Sequence, residues 1–107
     1  QRDLDYLVAQ YQASGFRGGL NYYRNLDRNW EITATLVDAK IEVPTLFIAG
    51  EKDSVIAGAT KDMLRASMKT AIPDLHDIIL VPGVGHWIQQ EAPDETNQAM
   101  IKFLEAL

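Results

Sequence analysis

The stretch "PTLFIAG", residues 44–50, is a short apolar run that a proline opens and a glycine closes. A run of this length is typical of a strand buried on both faces of a parallel sheet. A second run, "DIILV" at 77–81, has the same character. Helical patterns at 57–70 and after Pro93 alternate with these runs. The order strand, helix, strand, helix therefore predicts a parallel α/β unit.

The two helices of this unit carry different signals. In the helix at 57–70 we expect Met63, Leu64 and Met68 to point partly inward. We expect Pro73 to end this helix, because a residue before proline avoids helical geometry. Pro93 stands at a first helical turn with acidic residues behind it, a favourable placement at the positive helix end. Its expected buried stripe is Met100, Phe103, Leu104 and Leu107.

The first forty residues predict helices and no strand. "LDYLVAQYQASG" has the apolar spacing of an amphipathic helix that ends at Gly15, and "FRGG" after it is interpreted as a turn. A second helical stretch runs from Leu20 to about Leu36. Its expected inward residues are Leu20, Tyr23, Trp30 and Leu36. "VDAKIEVP" connects it to the first strand.

Two parallel strands alone leave both sheet edges unpaired and need helices on both faces. No third strand is evident. We therefore expect these residues to be the carboxyl-terminal part of a larger sheet, with the other strands upstream. Self-association, or an upstream segment of the same protein, would complete the sheet.

Composition excludes several classes of function. The chain has 107 residues, a net charge of −5 and no basic block, which argues against nucleic-acid binding. No apolar run is long enough to span a membrane, and no signal-peptide pattern opens the chain. The absence of cysteine excludes disulfides and thiolate metal sites. It also fits a reducing cytosol, so the expected compartment is cytoplasmic.

Polar residues follow each predicted strand where ligands bind in open α/β sheets. Asp53 comes three residues after Gly50, and His86 comes five residues after Val81. Parallel neighbouring strands bring these positions to the same rim, where a carboxylate can fix the tautomer of an imidazole and stabilise its protonated form. His76 lies in the turn before the second strand and is expected to be an ordinary surface or packing residue. Tyr22 and Tyr23 are either packing residues or proton donors.

Three segments resemble a known family. "GEKDSV" around Asp53 and "GVGHW" around His86 are similar to the acid and base segments of α/β-hydrolase-fold enzymes. "SGFRGGLNYYRNLDRNW", residues 14–30, resembles the cap-domain signature of epoxide hydrolases of the soluble type. The resemblance runs from about Ser14 to the end of the chain. It implies that residues 1–40 are the end of a helical cap and that 41–107 are the end of the α/β-hydrolase core.

The resemblance also implies roles for single residues. Tyr23 would be one of two cap tyrosines that hydrogen-bond to the epoxide oxygen, Asp53 the triad acid and His86 the base that activates water. Tyr22 would be a packing residue. The substrate would be a small epoxide, opened to a vicinal diol through a covalent ester without metal or organic cofactor.

The chain departs from the family pattern in three respects. It has no nucleophile elbow, no oxyanion-hole segment and no second cap tyrosine, which the family places upstream. We therefore expect the 107 residues alone to be inactive. Two alternatives stay open: another cap-bearing α/β hydrolase, such as a haloalkane dehalogenase or an esterase, and a non-catalytic binding module with this fold.

Overall fold

A computed structural model describes all residues from Gln1 to Leu107. The chain forms two compact units, Gln1–Asp38 and Ala39–Leu107. None of the helices has the length and apolar character needed to cross a membrane.

The first unit contains helices α1 (Arg2–Ser14), α2 (Arg17–Arg24) and α3 (Leu26–Ile32), followed by a 3₁₀ turn at Ala34–Leu36. Gly15 ends α1, as predicted, and its N–H bonds back to the Tyr11 carbonyl. The predicted turn at "FRGG" is wrong, because both of its glycines lie inside α2.

The single helix predicted over residues 20–36 is also wrong, because it is interrupted at Asn25 and Thr33. At Thr33 the side-chain hydroxyl donates to the Asn29 carbonyl at 2.6 Å. A hydroxyl bonded back to the preceding turn competes with the helical backbone, which explains an end at this point.

The four residues expected to point inward in this unit are exposed, most of all Trp30 at 79%. The three α-helices and the 3₁₀ turn of the unit contain no buried residue at all. Sequence spacing predicts which face of a helix is apolar, but it does not determine what covers that face.

The second unit is built on two parallel strands, β1 (Thr45–Gly50) and β2 (Leu75–Val81). They run in register from Leu46 opposite Asp77 to Gly50 opposite Val81. β2 begins two residues earlier than predicted, so His76 lies in the strand and not in a turn. Burial on both faces is not observed: β1 is mostly half-buried, and Ile78 is the one side chain fully buried.

Helix α4 (Lys61–Met68) is shorter than the predicted 57–70. It starts late because the Thr60 hydroxyl accepts a hydrogen bond from the Met63 N–H, which caps the helix. It ends at Met68, five residues before Pro73, in a turn closed by the Met68 carbonyl. Leu64 is buried as expected, whereas Met63 is exposed.

The polar segment that follows β2 contains a one-turn helix, α5 (Ile88–Glu91), and α6 (Pro93–Glu105) follows it. Pro93 is in the first turn of α6, as predicted. The expected stripe is not buried: Phe103 is half-buried, and the other three residues are exposed. Thr96 is the buried residue of α6 instead, and its hydroxyl donates to the Ala92 carbonyl at 2.7 Å.

Candidate active site

The loops that follow β1 and β2 leave the sheet at the same edge, because Gly50 and Val81 are paired at the strand ends. Backbone hydrogen bonds continue past the strands: the Glu51 N–H donates to Val81 at 2.9 Å, and the Lys52 N–H donates to Val84 at 2.8 Å. These backbone hydrogen bonds therefore hold the loop after β1 against the loop after β2.

Gly50 makes this close approach possible. A Cβ at this position would overlap the carbonyl oxygens of Val84 and Gly85 and lie 2.6 Å from the Val84 carbonyl carbon. These are backbone atoms and cannot swing away as a side chain can. Glycine is required here because any side chain would force the two loops apart.

Asp53 is buried, with 7% of its surface exposed, and each carboxylate oxygen has a partner. Oδ1 accepts from the Val55 N–H at 2.9 Å, and Oδ2 lies 2.8 Å from His86 Nδ1. The Val55 amide and then the His86 ring hold the pKa of Asp53 below its usual value, against the opposing effect of burial. Asp53 is therefore an ionised hydrogen-bond acceptor at neutral pH.

His86 faces Asp53 with Nδ1. An ionised carboxylate can only accept, so Nδ1 carries the proton and Nε2 holds the lone pair of the neutral ring. The Trp87 ring stands edge-on to the imidazole, with centroids 5.2 Å apart. About half of the His86 side chain, 55%, is exposed. A ring oriented in this way can accept a proton at Nε2 from a molecule outside the loop.

Two glutamates also hold the loop that carries His86. Glu91 accepts from the Gly85 N–H through Oε2 at 2.8 Å and from the Trp87 N–H through Oε1 at 3.1 Å. Glu51 accepts from the Gly83 N–H at 3.0 Å. Neither glutamate was singled out from the sequence. The four-residue spacing from Trp87 to Glu91, one helical turn, is the signal that points to the second.

The three predicted site residues are divided between the two units. Asp53 and His86 meet in the second unit. Tyr23 lies in α2 of the first unit, and its side chain is 74% exposed; Tyr22 beside it is also exposed. His76 lies 3.2 Å from Asp74 and edge-on to Phe103, away from the two loops that carry Asp53 and His86. No group of three or more His, Cys, Asp or Glu side chains is arranged to hold a metal ion.

Known proteins are similar to this chain in sequence and in structure. Epoxide hydrolase A of Mycobacterium tuberculosis is 45% identical over 107 residues, which cover all of this chain and 32% of that protein. Epoxide hydrolase 1 of Siraitia grosvenorii is 36% identical, over 98% of this chain and 34% of that protein. No family model matches the chain.

Solved structures give the same result. Potato epoxide hydrolase I superposes on the whole chain with a TM-score of 0.87 and 36% identity, and the match covers 34% of that structure. The Vigna radiata enzyme VrEH1 matches with a TM-score of 0.87 and 35% identity. The chain spans about a third of the length of the relatives it matches. In sequence and in fold, this chain therefore corresponds to the carboxyl-terminal part of epoxide hydrolases of the α/β-hydrolase fold.

Proposed function

We propose that this chain supplies the acid, the base and one proton donor of an epoxide hydrolase that opens epoxides to vicinal diols. The observation that carries the proposal is the 2.8 Å bond between Asp53 and the His86 ring at the ends of two parallel strands. That bond lies in a chain that is 45% identical to a protein named as an epoxide hydrolase.

The chemistry assigns a task to each residue. A strained epoxide has a poor leaving group, an alkoxide, so ring opening needs a donor. The phenolic O–H of Tyr23 can supply a hydrogen bond or a proton as the C–O bond breaks. A carboxylate nucleophile attacks the ring carbon and forms an ester. His86 then takes a proton from water at Nε2, and that water attacks the ester carbonyl.

Asp53 cannot be the nucleophile in this scheme. Both of its oxygens are bonded within the two loops, and the side chain is buried. Its task is to hold Nδ1 protonated and to stabilise the imidazolium that forms during water attack. The attacking carboxylate is proposed to come from an elbow in a part of the protein outside these 107 residues.

The domain assignment is also a proposal: residues 1–40 as the end of a cap and 41–107 as the end of the core. The division of the chain into two compact units supports it. Exposed apolar side chains support the need for a covering segment, either upstream in the same protein or from a second copy. Those in the second unit include Ile41, Val43, Met63, Ile101 and Leu104. The cytoplasm is the proposed compartment, since a chain without cysteine needs no oxidising environment.

The test uses the complete protein that contains this chain. With chelator present, it should convert aryl or alkyl epoxides to diols. His86→Gln should still open the ring but fail to hydrolyse the ester, so mass spectrometry should find one substrate adduct per enzyme molecule. Esterase activity without diol formation would instead favour another α/β hydrolase, and no reaction with either substrate class would favour a binding module.

A further inference from the structure

The backbone on both sides of His86 is held by a single carboxylate. Glu91 accepts the Gly85 N–H with one oxygen and the Trp87 N–H with the other, at 2.8 and 3.1 Å. Residues 85 and 87 are the immediate neighbours of the histidine. Hydrogen bonds to a charged acceptor are about twice as strong as neutral ones, so this pair restricts the His86 backbone more than two ordinary bonds would.

We propose that Glu91 is the positioning residue for His86, which it keeps within hydrogen-bond distance of Asp53. The Asp53–His86 bond alone constrains only the imidazole ring, because the backbone of His86 can still shift with its loop. With the amides at 85 and 87 held, the Cα of His86 has a fixed position between them. Glu91 acts through the backbone and touches no reacting atom.

A simpler role for Glu91 would be to cap α5, whose first turn follows Trp87. The Trp87 bond fits that role, but the Gly85 bond lies beyond the helix, on the far side of His86. Gly85 also leaves room for it: a Cβ there would lie 3.0 Å from Glu91 Oε1. Glu91 Oε2 therefore accepts a hydrogen bond, from the Gly85 N–H, that capping of α5 does not require.

This inference deepens the proposed function and rests on it. In that function the epoxide ring opens first, and His86 acts only in the later step, when water attacks the ester. Loss of the positioning residue should therefore slow ester hydrolysis and leave ring opening unchanged. A residue that merely stabilises the fold would change the fraction of active protein and would affect both steps equally.

The decisive variant is Glu91→Gln in the complete protein. The amide keeps the size but has one acceptor oxygen, so one of the two N–H bonds is lost. Misplacement of a catalytic group by about 1 Å costs up to roughly 100-fold, and we expect ester hydrolysis to slow by about 10- to 100-fold. Ring opening is measured as single-turnover adduct formation. Its rate should stay within about twofold of wild type, a much smaller change than the slowing of ester hydrolysis. The control is Gln89→Ala, an exposed change in the same helix, in which both rates should be unchanged.

A second measurement does not depend on epoxide chemistry. In proton NMR the His86 Nδ1–H, bonded to Asp53, should give a protected signal in wild type and in Gln89→Ala, and Glu91→Gln should broaden or abolish it. If Glu91→Gln does not fold, Glu91→Asp retains the charge with a shorter reach and should show the same loss to a smaller degree.

The outcomes separate the two proposals. Equal slowing of both steps, or an unchanged His86 signal together with unchanged hydrolysis, would overturn the positioning role. A wild-type protein that forms neither adduct nor diol, yet shows the protected signal lost in Glu91→Gln, would overturn the proposed function and leave the positioning role standing.

Discussion

Replacing Gly50 by alanine should separate Asp53 from His86 without altering either residue. The added methyl group would point at the backbone of the loop that carries His86 and overlap the carbonyl oxygens of Val84 and Gly85. Neither carbonyl can rotate away on its own, because the Val84 oxygen accepts the Lys52 N–H and the peptide that follows Gly85 leads directly to His86.

The size of the displacement follows from the contact. Two carbon atoms pack at about 3.5 Å, and the new Cβ would lie 2.6 Å from the Val84 carbonyl carbon, so the loop must move by about 1 Å. The distance from His86 Nδ1 to Asp53 Oδ2 would rise from 2.8 Å to about 3.8 Å, beyond the roughly 3.2 Å of a good hydrogen bond. We expect ester hydrolysis to fall by about 100-fold and the free energy of unfolding to fall by about 1–3 kcal/mol.

The assay compares the complete protein, its Gly50→Ala variant and a matched Gly18→Ala control under single-turnover conditions. Gly18 lies in α2, where a methyl group would meet nothing within 4 Å, and alanine in a helix is favoured over glycine by about 0.5–1 kcal/mol. The reasoning would be refuted if Gly50→Ala kept wild-type ester hydrolysis and a protected His86 Nδ1–H.

Three further predictions concern Tyr23, Asp53 and the chain by itself. Tyr23→Phe removes the phenolic donor and keeps the ring, so single-turnover ring opening should slow while hydrolysis of a preformed ester stays unchanged. If the variant opens the ring as fast as wild type, Tyr23 is a packing residue. Because the pKa of Asp53 is lowered in the folded protein, its ionised form stabilises the fold above the ordinary carboxyl pKa of about 3.9, and this stabilisation is lost as pH falls through the folded value. Denaturant unfolding should therefore show a smaller loss of stability below about pH 4 in Asp53→Asn than in wild type, and identical curves would contradict this. Residues 1–107 alone should be inactive on epoxides and should self-associate through exposed apolar side chains; a sharp monomer with cooperative unfolding in analytical ultracentrifugation and calorimetry would count against it.

The features predicted well from the sequence depend on short stretches of chain. The apolar runs that end at Gly50 and Val81 mark both strands to within two residues, because a short apolar run bounded by turn signals is by itself typical of a parallel strand. The meeting of Asp53 and His86 follows from topology, since parallel neighbours end at the same edge.

The features that were missed depend on single side-chain bonds to the backbone or on missing partners. The break at Thr33, the start of α4 at Thr60 and the two bonds of Glu91 each depend on one hydroxyl or carboxylate reaching a particular main-chain group. Apolar periodicity does not encode such bonds. The stripe predicted to be buried in α6 is largely exposed for another reason: its pattern identifies an apolar face, but within these residues only Phe103 is covered, and only in part.

Gly50 and Gly85 should follow different rules of sequence variation among homologues. The obstacle at position 50 is main chain, which no substitution elsewhere can shorten, so we expect glycine at this position in every relative that pairs the acid with the base. The obstacle at position 85 is the tip of the Glu91 side chain, and a shorter acid can withdraw it. Alanine or serine at position 85 should therefore occur together with aspartate at position 91, and an alignment in which these two positions vary independently would contradict the close contact between them.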